Sequence, residues 1–165
     1  SVGSGCRILT RSFGSEPFLI SIGNNVTVST NVQLLTHDGA TWLVRDHYGR
    51  RYSYAPIEIG SSVFVGAGST IMPGVCIGDN VIVGAASVVT KSIPSGSVVA
   101  GNPARIIARY EDYVRRHLRD SASDGNLVKV EGYKTRILSA LASKPREVMR
   151  ESNSPAQMDV DDNGE

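Results

Sequence analysis

The chain has 165 residues, 41% of them hydrophobic, with 17 Lys and Arg against 16 Asp and Glu for a net charge of +1, which supports one globular domain with extensions and excludes a disordered chain or a nucleic-acid footprint. No apolar run approaches the ~20 residues of a membrane span, and the first residues lack the basic-then-apolar order of a secretory signal, so a cytoplasmic protein without a membrane span is expected. Glu151, Asp159, Asp161, Asp162 and Glu165 lie in 151–165 without a Lys or Arg, and removing their five charges leaves +6 on the rest, a mildly basic body that suits phosphorylated or acidic ligands as well as an ordinary solvated surface.

The chain opens inside a pattern: Val2-Gly3 and Ile8 already read as repeat positions, and without an initiator Met, Ser1 is not expected to be the natural start. Residues 11–18 interrupt that pattern with Gly14 and Pro17, which favours a turn or bulge. The pattern resumes at Ile22, Val28 and Leu34, with Val26 and Val32 in a second column. From Leu34 to Ile59 is 25 positions, one more than four repeats of six, so the phase is lost between them. The intervening segment, Asp38 to Pro56, holds Trp42, Tyr48, Tyr52 and Tyr54 together with Arg45, Arg50, Arg51, Asp46 and His47, and lacks an apolar column. A loop this long without structure of its own is expected to be functional.

From Ile59 an aliphatic residue returns at every sixth position: Val65, Ile71, Ile77, Val83 and Val89. A 3.6-residue helix would scatter these around its axis, and a two-residue alternation would demand more apolar positions. Four residues after each anchor stand Val63, Ser69, Val75, Val81 and Ser87, small or β-branched as a narrow core requires. Gly60, Gly66, Gly78 and Gly84 follow the anchors and are expected to lend backbone freedom at corners; Met72 breaks that column, but Pro73-Gly74 beside it is turn chemistry. The period predicts short strand-and-turn units stacked as a solenoid, and parallel crossovers would ordinarily make it right-handed. Cys6 and Cys76 fall within the repeat without metal-type spacing and read as reduced packing residues.

After Val89, the stretch Thr90 to Gly96 closes the repeats with turn residues. Gly101-Asn102-Pro103-Ala104-Arg105 then leads into Ile106, Ile107, Tyr110, Tyr113, Val114 and Leu118, at the spacing of an amphipathic helix expected to cap the open end of the coils. A polar break, Ser121 to Asn126, precedes a second helical pattern with Ile137, Leu138, Leu141, Val148 and Met149, which Pro145 should kink. The acidic remainder reads as disordered.

The nine anchors with their second column, and Thr90-Lys91 followed by Gly101 to Arg105, resemble the hexapeptide-repeat acyltransferases, in particular the polysaccharide and sugar O-acetyltransferases and the maltose and galactoside acetyltransferase branch. The likeness covers roughly residues 1 to 110. It implies a mainly β chain, a left-handed parallel β-helix, whose handedness comes from the resemblance alone, with a C-terminal α-helical extension. The expected divisions are a β-helix domain over 1–100 with an inserted loop at 38–56, a helical extension over 101–150 and a disordered tail over 151–165. It further implies a homotrimer with active sites between subunits, acetyl-CoA as cosubstrate, no metal, and transfer of the acetyl group to a carbohydrate hydroxyl without an acyl-enzyme.

His37, at the mouth of the insertion, is the expected general base under that resemblance. A sugar hydroxyl attacks a thioester poorly until its proton is taken, and an imidazole, with a pKa of about 6.5, accepts it at neutral pH. The base needs an orienting partner; Asp38 and Asp46 are available, although Asp38 reads more simply as the turn residue of Asp38-Gly39. The resemblance places Phe64 and Ala67 beside the pantetheine arm of the coenzyme, Gly84 and Ala85 where backbone approaches it, and Thr90, Lys91 and Arg105 at its nucleotide end. Cations near terminal phosphates form charge-assisted hydrogen bonds, which supports the last pair independently. Trp42, Arg45, Tyr48 and Tyr52 are the expected acceptor wall, because aromatic faces suit sugar rings, and Arg45, Arg50 and Arg51 are expected to hold hydroxyls or a carboxylate or phosphate on the acceptor. Two other readings stand beside this one. A non-catalytic repeat module for binding or assembly needs no base, and a zinc hydratase would need His37, His47 and His117 together, which their scattered positions disfavour.

Overall fold

The computed structural model describes residues 1–123 and 132–140. A first compact unit spans Ser1–Asp120, and the remainder forms a second. The strands of the first unit are two or three residues long over most of the repeat, too short to persist except by stacking. They visit three sheets in strict rotation. β2 (Ile20–Ile22), β7 (Ile57–Ile59) and β10 (Cys76–Ile77) form one sheet, and β4 (Gln33–Leu34), β9 (Thr70–Ile71) and β12 (Val88–Val89) form another. β1 (Arg7–Ile8), β3 (Thr27–Val28), β8 (Phe64–Val65), β11 (Ile82–Val83) and β13 (Ser97–Gly101) stack in the third, which a further strand extends at its edge.

Pairing between strands of successive coils is parallel and fixes the length of a coil. Glu58 lies beside Cys76, Phe64 beside Ile82 and Thr70 beside Val88, each 18 residues apart, or three units of six. Every anchor from Ile22 to Val89 is at most 4% exposed, and the second column is buried with it. The six-residue period is therefore the inward column of a three-sided stack. Ser69 and Ser87, polar members of the second column, are satisfied by donating to the Gly84 carbonyl at 3.0 and 2.7 Å.

The glycine column owes its place to crowding. The left-handed conformations of the repeat fall on Asn25, Asn31, Ser62, Gly68, Gly74, Asn80 and Ala86, each three residues beyond its anchor. At Gly66 a Cβ would lie 2.5 Å from the Ala85 nitrogen, and at Gly23 one would lie 2.7 Å from the Gly60 carbonyl carbon, so coil backbones stack directly on one another there. Cys76 departs from its expected packing role, since it faces outward from β10 and is exposed. Cys6 is half-buried against the core and donates to the Gly23 carbonyl at 3.2 Å.

Two irregularities shape the functional corner. Ser12 pairs with Gln33, 21 residues on, because the 11–18 segment adds a turn at Gly14 and a 3-10 helix over Pro17–Leu19. Thr27 pairs with Phe64 and Gln33 with Thr70, each 37 apart, and the excess of 19 over 18 is the length of segment 38–56. That insertion is structured, contrary to expectation: a 3-10 helix over Gly39–Leu43 leads into a hairpin of β5 (Arg45–Asp46) and β6 (Gly49–Arg50).

The end of the repeat also differs from the expected helix. β14 (Ala104–Arg109) runs antiparallel to β13, with a register shift that leaves Ile107 unpaired, so Ile106 and Ile107 both lie exposed. That bulge produced the adjacent isoleucines read as helical spacing. The helix, α1 (Tyr110–Asp120), starts only afterwards, and its Tyr110 and Tyr113 share a concavity with Thr27, Phe64 and Ile82 on the outward side of the third sheet. It lies beside that sheet rather than across the end of the coils. A second helix, α2 (Tyr133–Ser139), contains Ile137 and Leu138 of the predicted pattern. Leu141, Pro145, Val148, Met149 and the acidic 151–165 segment lie outside the described residues.

Candidate functional site

The offset of 21 that sets Ser12 beside Gln33 also sets Glu16 beside His37, at the same corner of successive coils. The carboxylate Oε2 of Glu16 lies 2.9 Å from His37 Nδ1, and the Thr36 hydroxyl donates to the same oxygen at 2.7 Å. Thr36 is fully buried. The Glu16 side chain is 16% exposed and that of His37 40%, so the acid is enclosed and the imidazole reaches solvent. The hydrogen bond from Thr36, and then that from His37, hold the Glu16 carboxyl below its ordinary 4.5.

A carboxylate only accepts hydrogen bonds. Nδ1 of the neutral imidazole must therefore carry the proton, which leaves the Nε2 lone pair as the basic position. Glu16 was not among the sequence candidates for the orienting partner. Asp38 instead accepts from the Ala40 nitrogen at 2.9 Å as the cap of the 3-10 helix, and Asp46 pairs with Arg51. The neck of the insertion grips His37: it forms an antiparallel bridge with Tyr54, the Asp38 nitrogen donates to the Ser53 carbonyl, and the Ala55 nitrogen donates to the Thr36 carbonyl.

From His37 a ladder of rings and cations runs into the insertion. Tyr54 stands edge-on to the imidazole with centroids 5.9 Å apart, and Tyr52 stacks on Tyr54 at 6.2 Å. Arg50 lies 4.6 Å from the Tyr52 ring centre and 5.9 Å from that of Trp42, while Arg45 covers Trp42 at 5.0 Å. Trp42, Arg45 and Tyr52 of the expected acceptor wall thus join one surface. Tyr48 sits at the hairpin turn against His47, with centroids 3.9 Å apart. Tyr54, which joins this surface to His37, was not among the chosen residues.

The expected coenzyme residues divide into three places. Thr90, Lys91 and Arg105 line one concavity of about 390 Å³ with apolar walls from Ile93, Val99 and Ile106. Phe64 lies in the separate concavity beside Tyr110 and Tyr113. Ala67, Gly84 and Ala85 lie at a corner where the Ala86 nitrogen donates to the Ala67 carbonyl, and where Ala85 backs onto Gly66. Among the described residues no three His, Cys, Asp or Glu side chains gather as metal ligands, and no helix is long and apolar enough to cross a membrane.

Comparison with known proteins agrees with this architecture. The family described as bacterial transferase hexapeptide (six repeats) matches residues 56–91. Protein CapG of Staphylococcus aureus is 46% identical over 123 residues, 73% of this chain and 72% of CapG. The polysialic acid O-acetyltransferase of Escherichia coli O1:K1 / APEC is 36% identical over 125 residues, 75% of this chain and 39% of that protein. Among solved structures, a galactoside acetyltransferase in complex with coenzyme A is 31% identical, with a TM-score of 0.50 over 69% of this chain and 66% of the other. The chain spans about half the length of several other curated relatives that it matches. The matched stretch 56–91 holds β7 to β12, so Glu16 and His37 both lie outside it.

Proposed function

The chain belongs to the hexapeptide-repeat acetyltransferases, and from that membership we propose that it moves an acetyl group from acetyl-CoA to a carbohydrate hydroxyl with His37 as general base. The observation that carries the reading is the Glu16–His37 pair at the mouth of the insertion, 2.9 Å apart with Thr36 on the same oxygen. Nε2 of His37 takes the proton of the acceptor hydroxyl as its oxygen bonds to the thioester carbon. The carbon–sulfur bond then breaks, and the proton passes from the imidazolium to the departing sulfur. Glu16 fixes the tautomer at the start and offsets the imidazolium charge between the two transfers.

The concavity holding Thr90, Lys91 and Arg105 suits the nucleotide end of acetyl-CoA, since two cations border an apolar wall. Phe64, Ala67, Gly84 and Ala85 are proposed along the rest of the coenzyme. The named activity of the coenzyme A-bound galactoside enzyme supports both the cosubstrate and the carbohydrate acceptor. We further propose that the coils wind left-handed and that three chains assemble with the coenzyme groove between neighbours. The compartment proposed is the cytoplasm.

The test is acceptor-dependent release of coenzyme A thiol. His37→Ala is expected to lower turnover by about 10² to 10⁴ with coenzyme binding retained. Glu16→Gln keeps the shape and loses the charge, and about a tenfold to hundredfold loss in kcat with KM little changed is expected. Undiminished turnover in His37→Ala would remove the base assignment.

A further inference from the structure

Resting on the reading of the insertion as the acceptor wall, we propose that the acceptor is an acidic carbohydrate, whose carboxylate or phosphate group is held by Arg45 and Arg50 on the Trp42 face. The three arginines of the insertion are not equivalent. Arg51 is neutralised by Asp46. Arg45 and Arg50 have no carboxylate within ion-pair distance among the described residues, and each is held against aromatic rings, Arg45 at 5.0 Å from Trp42 and Arg50 between Trp42 and Tyr52.

A guanidinium attracted to a ring fixes its plane and retains a full charge with its N–H edges unspent, an arrangement matched to two oxygens of a carboxylate or phosphate. An exposed arginine that served only solubility would gain nothing from this ordering. The rings supply a surface for the C–H face of a sugar beside the anion site. The ladder leads from Arg50 through Tyr52 and Tyr54 to His37 in steps of 4.6, 6.2 and 5.9 Å, so one bound chain can present its acid group at one end and a hydroxyl at the other. The carboxylate beside the base does not compete, because Glu16 is already committed to Thr36 and His37.

Trp42 is the only tryptophan of the chain, so its emission reports binding on this face without any acetyl transfer. The full chain is titrated with tetragalacturonate, uncharged tetragalactose, galactose 6-phosphate and inorganic phosphate. A saturable change with tetragalacturonate or galactose 6-phosphate, at least about tenfold tighter than with tetragalactose, is expected; which of the two binds more tightly identifies the anion. The R45Q/R50Q double variant should lose that preference, Arg51→Gln should retain it, and R45K/R50K, which keeps the charge but loses the planar two-pronged edge, should retain part of it while showing that the loop is intact. Equal titrations for charged and uncharged sugars, binding by inorganic phosphate as tight as by the sugar acids, or a preference that survives R45Q/R50Q would each overturn the proposal. Acidic binding without coenzyme A release would count against the transferase reading and leave this inference standing.

Discussion

Glu16 is a carboxylate that the fold has committed to two donors, and this has a consequence for stability beside the positioning role proposed for it. Because its folded pKa lies below 4.5, owing first to Thr36 and then to His37, the unfolded chain takes up its proton at a higher pH than the folded chain does. Its contribution is therefore present above about pH 4.5 and is lost as the pH falls through the depressed folded value. Thermal unfolding of wild type and Glu16→Gln across that range should show wild type more stable at neutral pH and the gap closing in acid. A gap that stays constant from neutral pH to pH values well below 4.5 would mean that Glu16 is not held ionised by these partners.

The same residue marks the limit of what the sequence disclosed. His37 stood out because a lone histidine ended a regular unit where a long insertion began. Glu16 did not, because its segment read only as a break in the period. The signal was present in register: an acidic residue 21 positions before His37, in a coil lengthened to that same offset. Reading it required knowing that the 11–18 break lengthens a coil rather than ending one, and local patterning carries no such information.

At the scale of the elements, the repeat was legible and its corners less so. The two columns of the repeat located most of the core residues, though not Ile20, Ile57, Ile93, Val98 or Val99, because a narrow three-sided stack leaves only two inward positions per unit and both must be apolar or small. The glycines following the anchors were legible as a column but not in their cause, which is backbone crowding between coils. This separation makes a prediction. Gly66→Ala should destabilise by about 1 to 3 kcal/mol or more, since the new carbon meets backbone of the next coil at 2.5 Å. Gly68→Ala meets nothing within 4 Å and bears only the left-handed backbone, φ +70°, for about 1 kcal/mol. Chemical denaturation should rank Gly66→Ala as clearly the worse; the reverse order would contradict the crowding account.

The last elements were misread for a related reason. A bulged strand carrying Ile106 and Ile107, followed at once by a helix beginning at Tyr110, reproduces helical spacing without being a helix throughout. The insertion likewise hid a hairpin, because its strands are two residues long and exposed, leaving no alternation to detect.

At the scale of the whole molecule, a single chain leaves Phe18, Leu43 and Leu118 more than 70% exposed, with Ile106 and Ile107 also in water. The proposed trimer would cover part of these side chains in its contacts. Native mass measurement should give three copies; a stable monomer at micromolar concentration would remove the groove between neighbours from the coenzyme site.

The central claim is direct acetyl transfer to an acceptor oxygen, assisted by His37, and the most direct measurement follows the acetyl group itself. The full chain is incubated with acetyl-CoA labelled in the acetyl carbons and a carbohydrate acceptor, and the protein and the sugar are then weighed separately by mass spectrometry. The account predicts the label in an ester on the sugar, one coenzyme A thiol released per ester formed, no label on the exposed Cys76, and strong loss of all transfer in His37→Ala. Label found on the protein as an intermediate, or the same transfer to sugar with His37 removed, would contradict it.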